Sequence, residues 1–108
     1  MADLARLLVL TVVTASAVAA ASGALSARAP DIELGRYLAT ECMTCHRGTT
    51  ATSAIPNIFG IAEETFTQVM NAYRAKQLSN PVMQSIAGRL KDDEIEALAA
   101  FFARTKRP

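Results

Sequence analysis

Cys42-Met43-Thr44-Cys45-His46 gathers both cysteines and the only histidine of a 108-residue chain into five consecutive positions. The C-x-x-C-H spacing is that of a c-type haem attachment site. Two thiols three positions apart reach the two vinyl groups of one porphyrin and bond to it covalently, at Cys42 and Cys45. The adjacent imidazole of His46 is then held beneath the iron, where one ring nitrogen serves as proximal ligand. A structural zinc site needs four protein ligands, and Cys42, Cys45 and His46 supply three. A thioredoxin-like dithiol wants a βαβ surrounding that this sequence lacks. A plain disulfide between thiols so close would be strained and would leave His46 without a role.

Covalent haem attachment of this kind is expected outside the cytoplasm, so an export signal is looked for at the N-terminus. Arg6 gives a thin positive region, Leu7 to Val13 an apolar core, and an Ala-rich stretch runs on to Ala21. Small residues at A-x-A spacing occur in Ala17-Val18-Ala19 and Ala27-Arg28-Ala29, so cleavage is expected between residues 19 and 29. The alternative, an uncleaved anchor, would need about 20 apolar residues to span a bilayer, and the Leu7–Ala21 stretch is shorter. The expected organisation is a signal peptide and mature tail over 1–29, then one monohaem domain over 30–108 in the periplasm, with no membrane insertion after cleavage.

That domain is small, about 80 residues, and a core of such size commonly needs a metal or cofactor to hold it together. From Pro30 onward nine Lys and Arg (eleven less Arg6 and Arg28) face nine Asp and Glu (ten less Asp3). The balance offers no basic footprint for nucleic acid and no polybasic contact for a membrane surface.

Apolar periodicity predicts helices throughout and no alternating strand pattern, so the expected fold is all-α. Pro30-Asp31 reads as a helix start with Asp31 as cap, followed by Ile32, Leu34, Tyr37 and Leu38 on a rough apolar face ending at the first cysteine. Gly48 to Pro56 reads as loop. Glu63 to Ala75 reads as a helix with Phe66, Val69, Met70 and Tyr73 on one face, ended by Ser79-Asn80-Pro81. Val82 to Leu90 is a short apolar segment, taken as non-helical or half-helical. The last helix is capped by Asp92 or Asp93, buries Ile95, Leu98, Ala99 and Phe102 with Phe101 beside them, and ends among Arg104, Lys106 and Arg107, the sign that suits its dipole.

With His46 used, the sixth iron ligand must be a methionine or be missing. Met43 lies between the thioether cysteines on the proximal side. Met70 falls on an apolar helix face, where core packing is its ordinary role. Met83 follows the Asn80-Pro81 break and is the preferred iron ligand with His46. Pro56, ten residues past His46, is a candidate to accept a hydrogen bond from the imidazole Nδ1 and so fix the ring.

The run from Cys42 to Phe102 resembles the class I c-type cytochromes, with an early attachment motif, a middle proline, a late methionine and a final amphipathic helix. The resemblance implies a small fold of short helices around one covalent haem, and a contact between first and last helices at Gly35 and Phe101. Ile55-Pro56-Asn57-Ile58, Phe66-Thr67-Gln68-Val69-Met70, Pro81 to Gly88 and Ile95 to Phe102 are similar to the cytochrome subunit of flavocytochrome c sulfide dehydrogenase. That similarity implies a haem subunit taking electrons from a separate flavin-containing subunit. Many such relatives carry two haems where this chain carries one motif, and Arg47, Ser85 and Arg89 depart from their commoner residues.

The expectation is therefore a periplasmic electron-transfer protein whose partner is a flavin-containing subunit or another redox protein. A free shuttle to a terminal oxidase or reductase is the alternative within that class. A haem sensor or peroxidase with an open iron position is the alternative outside it, although no distal histidine exists to serve it.

Overall fold

A computed structural model describes residues 28–47, 52 and 54–107. The expected signal segment and cleavage region, except Arg28 and Ala29, lie outside the described residues, as does part of the loop after His46. Four helices and no strand occur among the described residues: α1 (Ile32–Cys42), α2 (Glu63–Arg74), α3 (Pro81–Gly88) and α4 (Asp92–Arg104). None is long and apolar enough to cross a membrane.

Two of the four helices, α1 and α3, start at a side-chain cap. Asp31 caps α1, its carboxylate accepting from the Leu34 amide at 3.0 Å and satisfying a first-turn donor with no partner inside the helix. Asn80 does the same for α3, accepting from the amides of Val82 and Met83, each at 3.0 Å. Pro81 occupies the first turn, where its missing N–H costs nothing. The sequence Asn80-Pro81 therefore ends one helix and begins another, and the segment carrying Met83 is helical rather than half-extended. In α4 the cap is Lys91, with no side-chain hydrogen bond. Asp92 and Asp93 lie in the first turn instead, where their charge still favours the positive end of the helix dipole.

The core forms where α4 packs against α1 and α2, while α3 packs on α2. Ile95, Leu98, Ala99, Phe101 and Phe102 are buried along α4. Phe102 is wholly buried and meets three rings, Phe59 at 5.3 Å, Phe66 at 5.7 Å and Phe101 at 5.2 Å between centroids. Such edge and offset contacts add about 0.5–1.5 kcal/mol per pair beyond burial. Phe59 enters this cluster from a loop. Gly60 follows it with φ of +75° and donates its amide to the Phe102 carbonyl at 2.8 Å, a backbone conformation that glycine adopts without strain.

Gly35 is the reason α1 and α4 approach so closely. A Cβ there would strike the Ala97 carbonyl and come within 2.9 Å of the Phe101 Cβ. The contact between first and last helices expected from the family resemblance is present at Gly35 and Phe101. Tyr37, by contrast, does not belong to the buried face of α1 and is 74% exposed. Its position turns it away from α4, whereas Gly35 and Ala39 on the facing side are buried.

Candidate haem site

The end of α1 bends into a tight turn that presents Cys42, Cys45 and His46 together. The amides of Cys45 and His46 both return to the Cys42 carbonyl, at 3.2 and 2.8 Å, and Met43 closes on Ala39 at 2.9 Å. Cys42 is half-buried and Cys45 exposed. Burial, reinforced by the charge of Glu41, pushes the Cys42 thiol from 9.0 up to about 11, so this sulfur is protonated at neutral pH.

His46 Nδ1 lies 2.8 Å from the Pro56 carbonyl oxygen. A carbonyl can only accept, so Nδ1 carries the proton of that bond, and a neutral ring keeps Nε2 as a free lone pair. The loop that delivers Pro56 is itself braced. Ile55 donates its amide to Thr52 Oγ1 at 3.1 Å, and Asn57 Oδ1 accepts from the Phe59 amide at 3.2 Å.

These residues border an apolar cavity of about 520 Å³. On the side of the C-x-x-C-H turn it is lined by Glu41, Cys42, Cys45, His46 and the loop from Ala54 to Ile58; from α2 and α3 come Phe66, Val69, Met70, Tyr73, Val82, Met83 and Ile86. The volume lies within the usual range for small-molecule and cofactor sites, about 300–1,000 Å³. Val69 reaches this wall while 37% exposed, so the apolar face of α2 is divided between core and cavity.

Both methionines considered as iron ligands line the cavity, in different settings. Met70 is buried within the core, whereas Met83 is half-buried at the start of α3, its backbone fixed by the Asn80 cap. Asn80 also borders the cavity. Asn80 thus caps the helix that carries Met83 and lines the cavity that Met83 faces.

Among the described residues no three His, Cys, Asp or Glu side chains converge as a metal cluster. The donors here are one imidazole and the thioethers of Met70 and Met83, beside two thiols at the rim of an apolar cavity. This set fits an iron that brings its four equatorial nitrogens with it, a porphyrin, better than a bare ion needing a full set of protein ligands.

No family model matches this chain. The thiosulfate dehydrogenase electron acceptor of Stutzerimonas stutzeri (strain A1501) is 35% identical to it over 65 residues, 57% of this chain and 30% of that protein. The chain thus spans less than a third of the length of the relative it matches.

Proposed function

We propose that this chain is an exported one-electron carrier holding a single c-type haem, and that its donor is a dehydrogenase acting on a reduced inorganic sulfur compound. The observation that carries the reading is the C-x-x-C-H turn opening onto an apolar cavity, with His46 Nδ1 anchored on the Pro56 carbonyl. The haem supplies a ferric/ferrous couple. Cys42 and Cys45 would hold it through thioethers to its two vinyl groups. Pro56 keeps the proton of His46 on Nδ1, which orients the ring and leaves Nε2 as the ligand atom. Met83 would be the second protein ligand to the iron, and a methionine sulfur would raise the potential relative to a second nitrogen. Phe66, Val69, Met70 and Ile86 exclude water from the cavity walls and lower the dielectric around the charge that is exchanged.

Support for electron transfer comes from the relative, whose name describes an electron acceptor of a dehydrogenase. Similarity to the cytochrome subunit of flavocytochrome c favours a flavoprotein sulfide dehydrogenase as donor. The relative's name favours a second reading, a thiosulfate dehydrogenase in that role. The purified haem protein, mixed in a stopped-flow instrument with each dehydrogenase and its substrate, distinguishes them by which pair reduces it rapidly. Reduction by neither, together with rapid and complete carbon monoxide binding to the reduced iron, would replace the carrier reading with that of an open-site haem sensor or peroxidase.

A further inference from the structure

α1 ends at Cys42, the first of the two attachment cysteines, and α3 carries Met83; both border the cavity, yet they share no helix–helix interface. Among the described helices α3 packs on α2 alone. One side-chain bridge crosses from α3 to α1. Arg89, the C-cap of α3, donates through Nη2 to Glu41 Oε1 at 2.7 Å, joining positions 48 residues apart. Glu41 directly precedes Cys42 and lines the cavity. Arg89 Nε also donates to the Ser85 carbonyl at 3.4 Å, so its guanidinium is tied to the helix that holds Met83.

The other ion pairs between helices have a different setting. Arg74–Asp92 and Arg104–Glu63 each join α2 to α4, two helices that already pack against one another. Removing either leaves an apolar interface in place. The Arg89–Glu41 bridge has no interface behind it. Arg74 contributes a second restraint near α3 by donating to the Leu90 carbonyl at 3.2 Å, but this ties the following segment to α2 and leaves α1 untouched.

We propose that Arg89 and Glu41 are positioning residues whose ion pair latches α3 to the attachment end of α1 and so keeps Met83 seated on the iron. The inference rests on the His46/Met83 ligation proposed above. Both side chains are more than half exposed, 61% and 57%, so the latch is open to screening by salt. It slows the departure of the methionine without deciding whether methionine is the ligand.

Imidazole is the probe, because it reaches the ferric iron only when Met83 leaves. Its association rate with the haem-loaded protein is measured at low and high salt for wild type, Arg89→Gln, Arg89→Lys, Glu41→Gln and Arg104→Gln. Arg89→Gln and Glu41→Gln should each raise the low-salt rate about fivefold, the scale of an exposed ion pair. Arg89→Lys should recover part of the wild-type rate, and high salt should lift the wild type towards the Gln variants. Arg104→Gln should retain the wild-type rate. Equal rates in Arg89→Gln and wild type, or an equal acceleration in Arg104→Gln, would overturn the latch. The ligand assignment is checked separately by the weak red absorption band of an iron–methionine bond. If Met83→Ala keeps that band, the ligation reading fails and the latch with it; if the band is lost there, the imidazole rates judge the latch alone.

Discussion

On the attachment side of the cavity, Cys42, Cys45 and His46 lie within five consecutive residues, held by the backbone turn that ends α1 and by one loop carbonyl. On the methionine side, Met83 rides on an eight-residue helix that packs on α2 alone. The first arrangement is local and, in the proposed holoprotein, covalent. The second depends on tertiary contacts and one exposed ion pair. A haem carrier built this way would keep its haem under conditions that free the methionine, so the C-x-x-C-H side would set what is bound and the methionine side its potential.

The largest effect should come from removing the covalent side. Cys42→Ala with Cys45→Ala should abolish thioether attachment and most of the helical signal. Without a bound porphyrin the apolar walls of the cavity of about 520 Å³ are left facing water, and so small a domain has little other burial to offset that loss. The whole stability of a domain of about 80 residues is about 4–12 kcal/mol. Far-ultraviolet circular dichroism of the purified double variant measures this, and a native helical spectrum would show that the helices around Phe102 stand without the cofactor.

The two methionines sharpen the comparison at the next level. Met83→Ala should keep the covalent haem, lose the red iron–methionine band and lower the reduction potential, with modest loss of stability because the side chain is half-buried. Met70→Ala should do the reverse. It removes a side chain that is 4% exposed, at a cost of about 2–5 kcal/mol, and should leave the band in place. Denaturant midpoints and absorption spectra of the two variants, read together, separate a ligand from a core residue.

That division explains which features could be read from the sequence. The C-x-x-C-H motif, the Asp31 cap and the α4 stripe depend on short spacings or on one conspicuous residue type, whereas the Gly35–Phe101 approach, 66 residues apart, follows only from the family resemblance. The proximity of Pro56 and His46 needed only ten residues of loop. The features that escaped are those decided at a distance. Phe59 is buried because Phe102 lies across from it, and nothing in the loop around it signals this. Arg89 and Glu41 are ordinary surface charges until α3 and α1 are placed. The helicity of α3 is locally encoded yet ambiguous in sequence, because Asn80-Pro81 serves equally as a terminator and as a cap followed by a first-turn proline. Lys91 replaced the acidic cap expected for α4 because the helix starts at the first aspartate itself.

Before attachment, the thiol side has a pH dependence that the finished protein should lack. Burial and Glu41 raise Cys42 from 9.0 to about 11, so folding favours its protonated form. The stabilisation is fully present below the unfolded value and declines as pH rises from 9.0 towards about 11. A non-covalent complex of the chain with haem should therefore lose helical signal over that interval. The thioether-linked form has no ionisable sulfur there and should show no such step. The same decline in both forms would assign it to another group.

The smallest effect concerns the partner. Gly48 to Ala62 and Gln77 to Gly88 contain no Asp, Glu, Lys or Arg, and together they supply much of the cavity rim. Ile55, Leu78 and Val82 are exposed along these segments, Val82 at 65%. Glu41, which lines the cavity, is paired with Arg89. An uncharged contact loses little when ions screen it, since screening weakens attraction only between charges. Association with the donor dehydrogenase should therefore change by less than about threefold in Kd between low and physiological salt, where a charge-steered encounter falls steeply. Isothermal titration at the two salt concentrations measures it. A steep loss of affinity would move the docking surface away from the methionine side and onto the charged faces of α1 or α4, whereas Val82→Asp should weaken binding at both concentrations if the rim is where the donor sits.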